Sequence, residues 1–376
     1  MRVSVSAETQ NPMPPIIVDA HEDIAWNVLT FGRDYLQSAQ SVREREAASD
    51  MPPQNGEALL GWEDWLRGRV AVIFATLHAA PLRRQVGPWE RLCYRDAEEA
   101  HAMYQASLDV YHRLTEAHPE RFRLVRSRAD LQAVLRTWQG EAPRMPTVGW
   151  VVLMEGADGV RQPEELEAWW EAGVRLIGPA WSGTRYVGGT REPGPFTRDG
   201  LRLLDRMAEL GLSLDLSHLA EEAAWQALER FPGVVLASHS NPRSLLEGSP
   251  VPDRHLSDDV IRRLAERGGV LGVVPYNRFL RGGWQPEDGR EIVPLTRVAE
   301  HIDYVCQLVG DVAHVGLGSD FDGGFGRSMI PAGLDNVGDL GLIGEALGRR
   351  GYSPHEVQAV LGGNWLALLR RALPET

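Results

Sequence analysis

The sequence predicts an α/β protein, a (β/α)8 barrel of the TIM type. Three observations carry that expectation. Eight short apolar runs recur along the chain, mostly separated by stretches of helical spacing. No Gly-x-Gly-x-x-Gly follows the first run, which speaks against the alternative, a doubly wound open sheet. Five runs end in side chains of metal-ligand type, and in such a barrel all C-terminal strand ends meet at one face.

Residues 1–15 are polar and proline-containing and read as a tail, leaving 16–376 as one domain. The first strand, about 16–24, ends in Asp19-Ala20-His21-Glu22-Asp23. Residues two apart on a strand face one side, so His21 and Asp23 should project together. Residues 32–68 are polar, with Pro52-Pro53 and several glycines, and predict a long excursion with short helices. Val70 to Leu77 is the second strand. Helical spacing over 89–118 stops at Pro119, and Ser127 is placed to cap a shorter helix. Val148 to Met154 is the third strand. Pro163 opens a helix that Gly173 closes, and Val174 to Ile177 begins the fourth strand.

Residues 182–198, rich in Gly, Pro and Thr, read as a loop, followed by an amphipathic helix that Gly211 stops. Strand five is Leu212 to Leu216, strand six Val234 to Ala237, strand seven Gly269 to Val274 and strand eight Val315 to Gly318. The helices between them fall at about 220–230, 258–267 and 295–309. A last pair, about 338–349 and 354–372, closes the chain.

The formal net charge of -13 argues against nucleic-acid and anionic-membrane partners, which need excess Lys and Arg. Cys93 and Cys306 form no CxxC pair and predict a reducing compartment. No signal-type apolar segment opens the chain, and no run of about 18 apolar residues appears. The expectation is a soluble cytoplasmic protein acting on a small molecule, with a homodimer left open.

Chemistry concentrates at the strand ends. Strand one gives His21 and Asp23, strand three Glu155, strand five His218, strand six His239 and strand eight Asp320. Two histidines, a His-x-Asp, a glutamate and an aspartate exceed the ligands of one tetrahedral zinc. A binuclear site fits better, with Glu155 able to bridge two ions through its two oxygens. Asp322 reads as a turn former, Asp19 and Asp215 as partners that orient the ligands. The remaining histidines, His78 among them, are given no role.

These blocks resemble the membrane (renal) dipeptidase family of zinc peptidases, within the amidohydrolase-like barrels. The likeness runs from Val18 nearly to the C-terminus. Its carriers are His21-x-Asp23, Glu155-Gly156, Asp215-Leu216-Ser217-His218, Ser238-His239-Ser240 and Gly318-Ser319-Asp320-Phe321-Asp322-Gly323. The resemblance implies one zinc on His21, Asp23 and Glu155 and a second on Glu155, His218 and His239. It implies Asp320 as the acid/base and Arg254 as the group that binds a substrate carboxylate, whose two oxygens match a guanidinium. Tyr276 falls where the family has a pocket tyrosine.

The chain also departs from the family pattern. Trp181 stands where the family has a histidine that contacts the substrate carbonyl, and His255 stands where asparagine is usual. An indole N–H donates one hydrogen bond but carries no charge. The expected function is therefore zinc-dependent hydrolysis of the amide bond in dipeptides or similar N-acyl amino acids. The alternatives are a hydrolase of another small amide, ester or lactone at the same metals, which Trp181 would allow, and a catalytically silent metal- or ligand-binding barrel. The intact Asp320 argues against the last.

Overall fold

Parallel strands buried on both faces need apolar side chains at nearly every position, and helices must cover their outer faces. In the computed structural model, which describes residues 15–139 and 145–376, the eight apolar runs meet that demand. The tail expectation for 1–15 lies almost wholly outside the described residues. Among the described residues, the barrel strands are β1 (Ile17–Glu22), β2 (Val70–His78), β3 (Val148–Glu155), β4 (Val174–Gly178), β5 (Ser213–Asp215), β6 (Val235–Leu236), β7 (Leu271–Val273) and β8 (Val315–Leu317).

They pair in parallel in chain order from β1 to β6, and β8 lies between β1 and β7. The ring closes between β6 and β7 through a parallel bridge from Ala237 to Leu271. A short extra strand, Phe122–Leu124, pairs with the start of β3, before β4 takes its place from Val152 onward. Close approach inside the ring needs glycine. A Cβ on Gly318 or Gly272 would fall within 2 Å of the Ser238 carbonyl oxygen.

Helices return the chain between strands, and their caps follow from sequence. Asp96 accepts from the Glu98 and Glu99 amides, Ser127 from Asp130 and Thr197 from Gly200, each satisfying donors of a first turn. Gly173 ends its helix in the left-handed conformation, as expected. The excursion after β1 carries the helices Ala39–Glu46, Met51–Asn55 and Trp62–Arg67.

Two local expectations need correction. Residues 182–198 are not loop alone: Val187–Gly189 and Glu192–Phe196 form an antiparallel hairpin, hidden in the sequence by its Gly and Pro content. The first strand stops at Glu22, and Asp23 caps the helix Ile24–Phe31 at φ -92°, ψ 55°. Asp23 therefore reaches the side of His21 through a bend in the chain rather than through strand alternation.

Candidate metal centre

The C-terminal strand ends deliver one cluster. Glu155 is the last residue of β3, and His218 and His239 lie three residues beyond β5 and β6. Turning a side chain into the mouth just past a strand takes unusual backbone. His218 and Asp320 both sit at positive φ, 66° and 58°, where non-glycine residues are uncommon. Gly156, directly after Glu155, has φ 79°, and an added Cβ would lie 2.8 Å from the Tyr104 hydroxyl.

His218 Nε2 and His239 Nε2 are 3.1 Å apart, and each lies 3.2 Å from Glu155 Oε1. Ligands bound to one zinc at 2.0–2.1 Å and tetrahedral angles stand about 3.3 Å apart, so this triangle matches the chemistry of such an ion. A second group is looser. His21 Nε2 lies 3.6 Å from Asp23 Oδ2, 3.7 Å from Asp320 Oδ1 and 3.8 Å from Glu155 Oε1. The groups His21–Glu155–His239 and His21–Asp23–Asp320 each bring three donor atoms within 4.8 Å of one another.

The ligand orientations are fixed from behind. Thr190, at the tip of the hairpin, meets His218 Nδ1 at 3.0 Å. Ser238 Oγ meets His239 Nδ1 at 2.7 Å and donates to Asp215. Asp215 Oδ1 also accepts from the Ser217 and Ser238 amides, both at 2.9 Å. Thr76 donates to Asp23 Oδ1 at 2.7 Å, and Asp19 accepts from the Ser319 amide at 2.7 Å. Partners of this kind set ring orientation and tautomer at metal sites. Asp322 belongs elsewhere: buried, it accepts from Tyr35 at 2.6 Å and the Leu59 amide at 2.8 Å and pairs with Arg33 at 3.1 Å.

The electrostatics suit cations. Burial, then the Arg254 charge, pushes His218 down to about 4. Burial, with His21 and Arg254, holds His239 well below its ordinary value, so both rings are neutral with lone pairs to give. Burial works against an ionised Glu155, but His21, His218, His239 and His78 pull it well below the usual carboxylate range. Burial likewise opposes a charged His21, yet Glu155, Asp23 and Asp320 outweigh it and raise the ring to about 10. Both His21 nitrogens are nevertheless buried without a hydrogen-bond partner. A ring facing three carboxylates with no hydrogen bond to any of them marks a place for a cation, so the residues fit the metal that the donor set implies.

Around this centre, Arg254 is buried on a short turn, Pro252–Arg254. Its Nη1 donates to the His239 carbonyl at 2.7 Å. Its Nη2 lies 3.7 Å from Asp320 Oδ2 and has no hydrogen-bond partner. Trp181 is half-buried at the mouth, 5.1 Å from His78 and 6.4 Å from His218 between ring centres. Tyr276 stacks on Phe325 at 4.3 Å, with Asp320 among the charges that act on it. One residue of the cluster was passed over in the sequence. His78 ends β2 with Nδ1 3.0 Å from Glu155 Oε2. The available signal was the same one that found Glu155, an apolar run closing on a ligand-type side chain.

The model of the membrane dipeptidase family, peptidase family M19, matches residues 13–373. The chain belongs to that family. It is a metal-dependent dipeptidase. Dipeptidase verJ of Clonostachys rogersoniana is 27% identical over 362 residues, covering 94% of this chain and 83% of that protein. An uncharacterized protein from the pqqA 5' region of Klebsiella pneumoniae is 35% identical over 232 residues, 58% of this chain and 80% of the other. In fold, the chain resembles a metallopeptidase of Rhodobacter sphaeroides. The TM-score is 0.75 at 23% identity, over 96% of this chain and 99% of that one. Among the described residues no helix is long and apolar enough to cross a membrane.

Proposed function

We propose that this dipeptidase works through two zinc ions. His21, Asp23 and Glu155 would hold one, and Glu155, His218 and His239 the other. The observation that carries the reading is the triangle of Glu155 Oε1, His218 Nε2 and His239 Nε2, with sides of 3.1–3.2 Å, beside a second donor group around His21. When bound, such ions lower the pKa of a coordinated water and polarise a substrate carbonyl.

The protein's own groups then divide the work. Arg254 holds the substrate's free carboxylate, which the unpartnered Nη2 supports. Asp320 takes a proton from the attacking water and gives it to the leaving amine. Burial pushes its carboxyl up to about 7, against the pull of His21 and Arg254, which suits a group that must both accept and donate near neutrality. Trp181 and Tyr276 wall the pocket. The Rhodobacter sphaeroides neighbour is liganded with a phosphinate mimic of the dipeptide L-Ala-D-Ala, which supports a dipeptide of small residues as the substrate.

The same reading takes residues 16–376 as one domain, supported by a core that runs from Ile17 to Leu373. A cytoplasmic location is in keeping with the two free cysteines. A homodimer remains part of the proposal and is checked by the mass of the protein in solution. The test of the metal centre is elemental analysis of protein purified without chelator, together with turnover of a dipeptide panel. Zinc should approach two per chain. A reproducible value of one at full activity would sink the binuclear reading.

A further inference from the structure

We propose that His78 is a positioning residue of the metal centre: it fixes Glu155 by one oxygen and leaves the other for the ions. The inference rests on the metal-centre reading above. His78 and Glu155 are register partners on β2 and β3, so their side chains leave the strand ends together. His78 Nδ1 lies 3.0 Å from Oε2, while Oε1 faces His218 and His239 at 3.2 Å and His21 at 3.8 Å. His78 Nδ1 makes no aligned hydrogen bond, and its contact with Glu155 Oε2 is the ion-pair approach at 3.0 Å.

The terminal torsion of a glutamate is broad, so a carboxylate held at neither oxygen turns freely and exchanges the two. A ligand that must present one oxygen to several donors gains from a holder on the other. The His78 ring is itself held. It is buried, with Trp181 at 5.1 Å and Trp26 at 6.3 Å, both close to edge-on.

The experiment compares wild type, His78→Phe and His78→Asn by chelator competition for Zn²⁺ and by the visible spectrum of the Co²⁺-loaded proteins. Phenylalanine keeps the ring between the tryptophans and removes the nitrogen. Asparagine returns an N–H near the place of Nδ1. The expected result is about 10–100-fold weaker zinc binding in His78→Phe, the usual cost of losing a partner behind a ligand. Its cobalt band should be displaced, and His78→Asn should recover most of both. Wild-type affinity and spectrum in His78→Phe would overturn the proposal, as would an asparagine variant no better than phenylalanine. A wild type that bound no zinc would overturn the metal-centre reading itself, which keeps the two failures distinct.

Discussion

The two halves of the centre are built differently. The half formed by Glu155, His218 and His239 has sides of 3.1–3.2 Å, and each histidine has a hydroxyl behind it, from Thr190 or Ser238. The half formed by His21, Asp23 and Asp320 has spacings of 3.6–3.7 Å, and His21 has no hydrogen-bond partner at either nitrogen. The first half is preorganised by neutral rings and one ionised carboxylate. The second gathers carboxylates around the His21 ring and holds it charged, so an ion there must displace the ring's proton before it can bind. An ion should therefore bind the first half more tightly and leave it last.

The change of largest expected effect tests which half Asp320 serves. Asp320→Asn should keep both ions and lose about 10²–10⁴-fold in turnover, because an amide cannot carry the proton. Metal content measured beside kcat decides it. Loss of one ion on this substitution would make Asp320 a ligand of the looser half and remove it as the acid/base.

Arg254 links the halves, since Nη1 donates to the His239 carbonyl and Nη2 faces Asp320. Arg254→Met should weaken substrates with a free carboxylate by about 10–100-fold in kcat/KM, the worth of a charge-assisted hydrogen bond. Amidated substrates should lose far less. An equal loss on both would mean that Arg254 acts through His239 rather than on the substrate.

The contrast between halves also explains what the sequence made legible. Buried parallel strands are near-continuous apolar runs, so the barrel and the ligand-type side chains that end β3 or follow β5 and β6 stand out from single residues. Glu155, His218 and His239 follow directly from that pattern. His78 obeys it too, but a single histidine closing an apolar run carries no further mark in the sequence. Strand alternation does not place Asp23, because the bend after Glu22 brings it to His21. Arg254 sits on an isolated turn, with no periodic neighbourhood to mark it, and only the resemblance pointed there. The hairpin that carries Thr190 to His218 is short and glycine-rich, and its role depends on a contact across 28 residues of chain that no local pattern encodes.

That hairpin supplies the smallest of the expected effects and the one that assigns the ions to the halves. Thr190 meets His218 twice: its amide donates to the His218 carbonyl at 2.9 Å, and its hydroxyl meets Nδ1 at 3.0 Å. Thr190→Val keeps the shape and removes the hydroxyl. A neutral hydrogen bond contributes about 0.5–1.5 kcal/mol, so the ion held by His218 should bind roughly 2–10-fold more weakly. His21, Asp23 and Asp320 lie on or just past the first and last strands of the barrel, away from the hairpin, so the second ion should be unaffected. Stepwise removal by a chelator, followed by metal content at each step, separates the two. If the triangle is the tighter half, the ion that leaves last is the one that shifts. A shift confined to the ion that leaves first would place the weaker site at His218 and His239. Preorganisation of the ligands would then not set the order of affinity, and the charge of the carboxylates around His21 would.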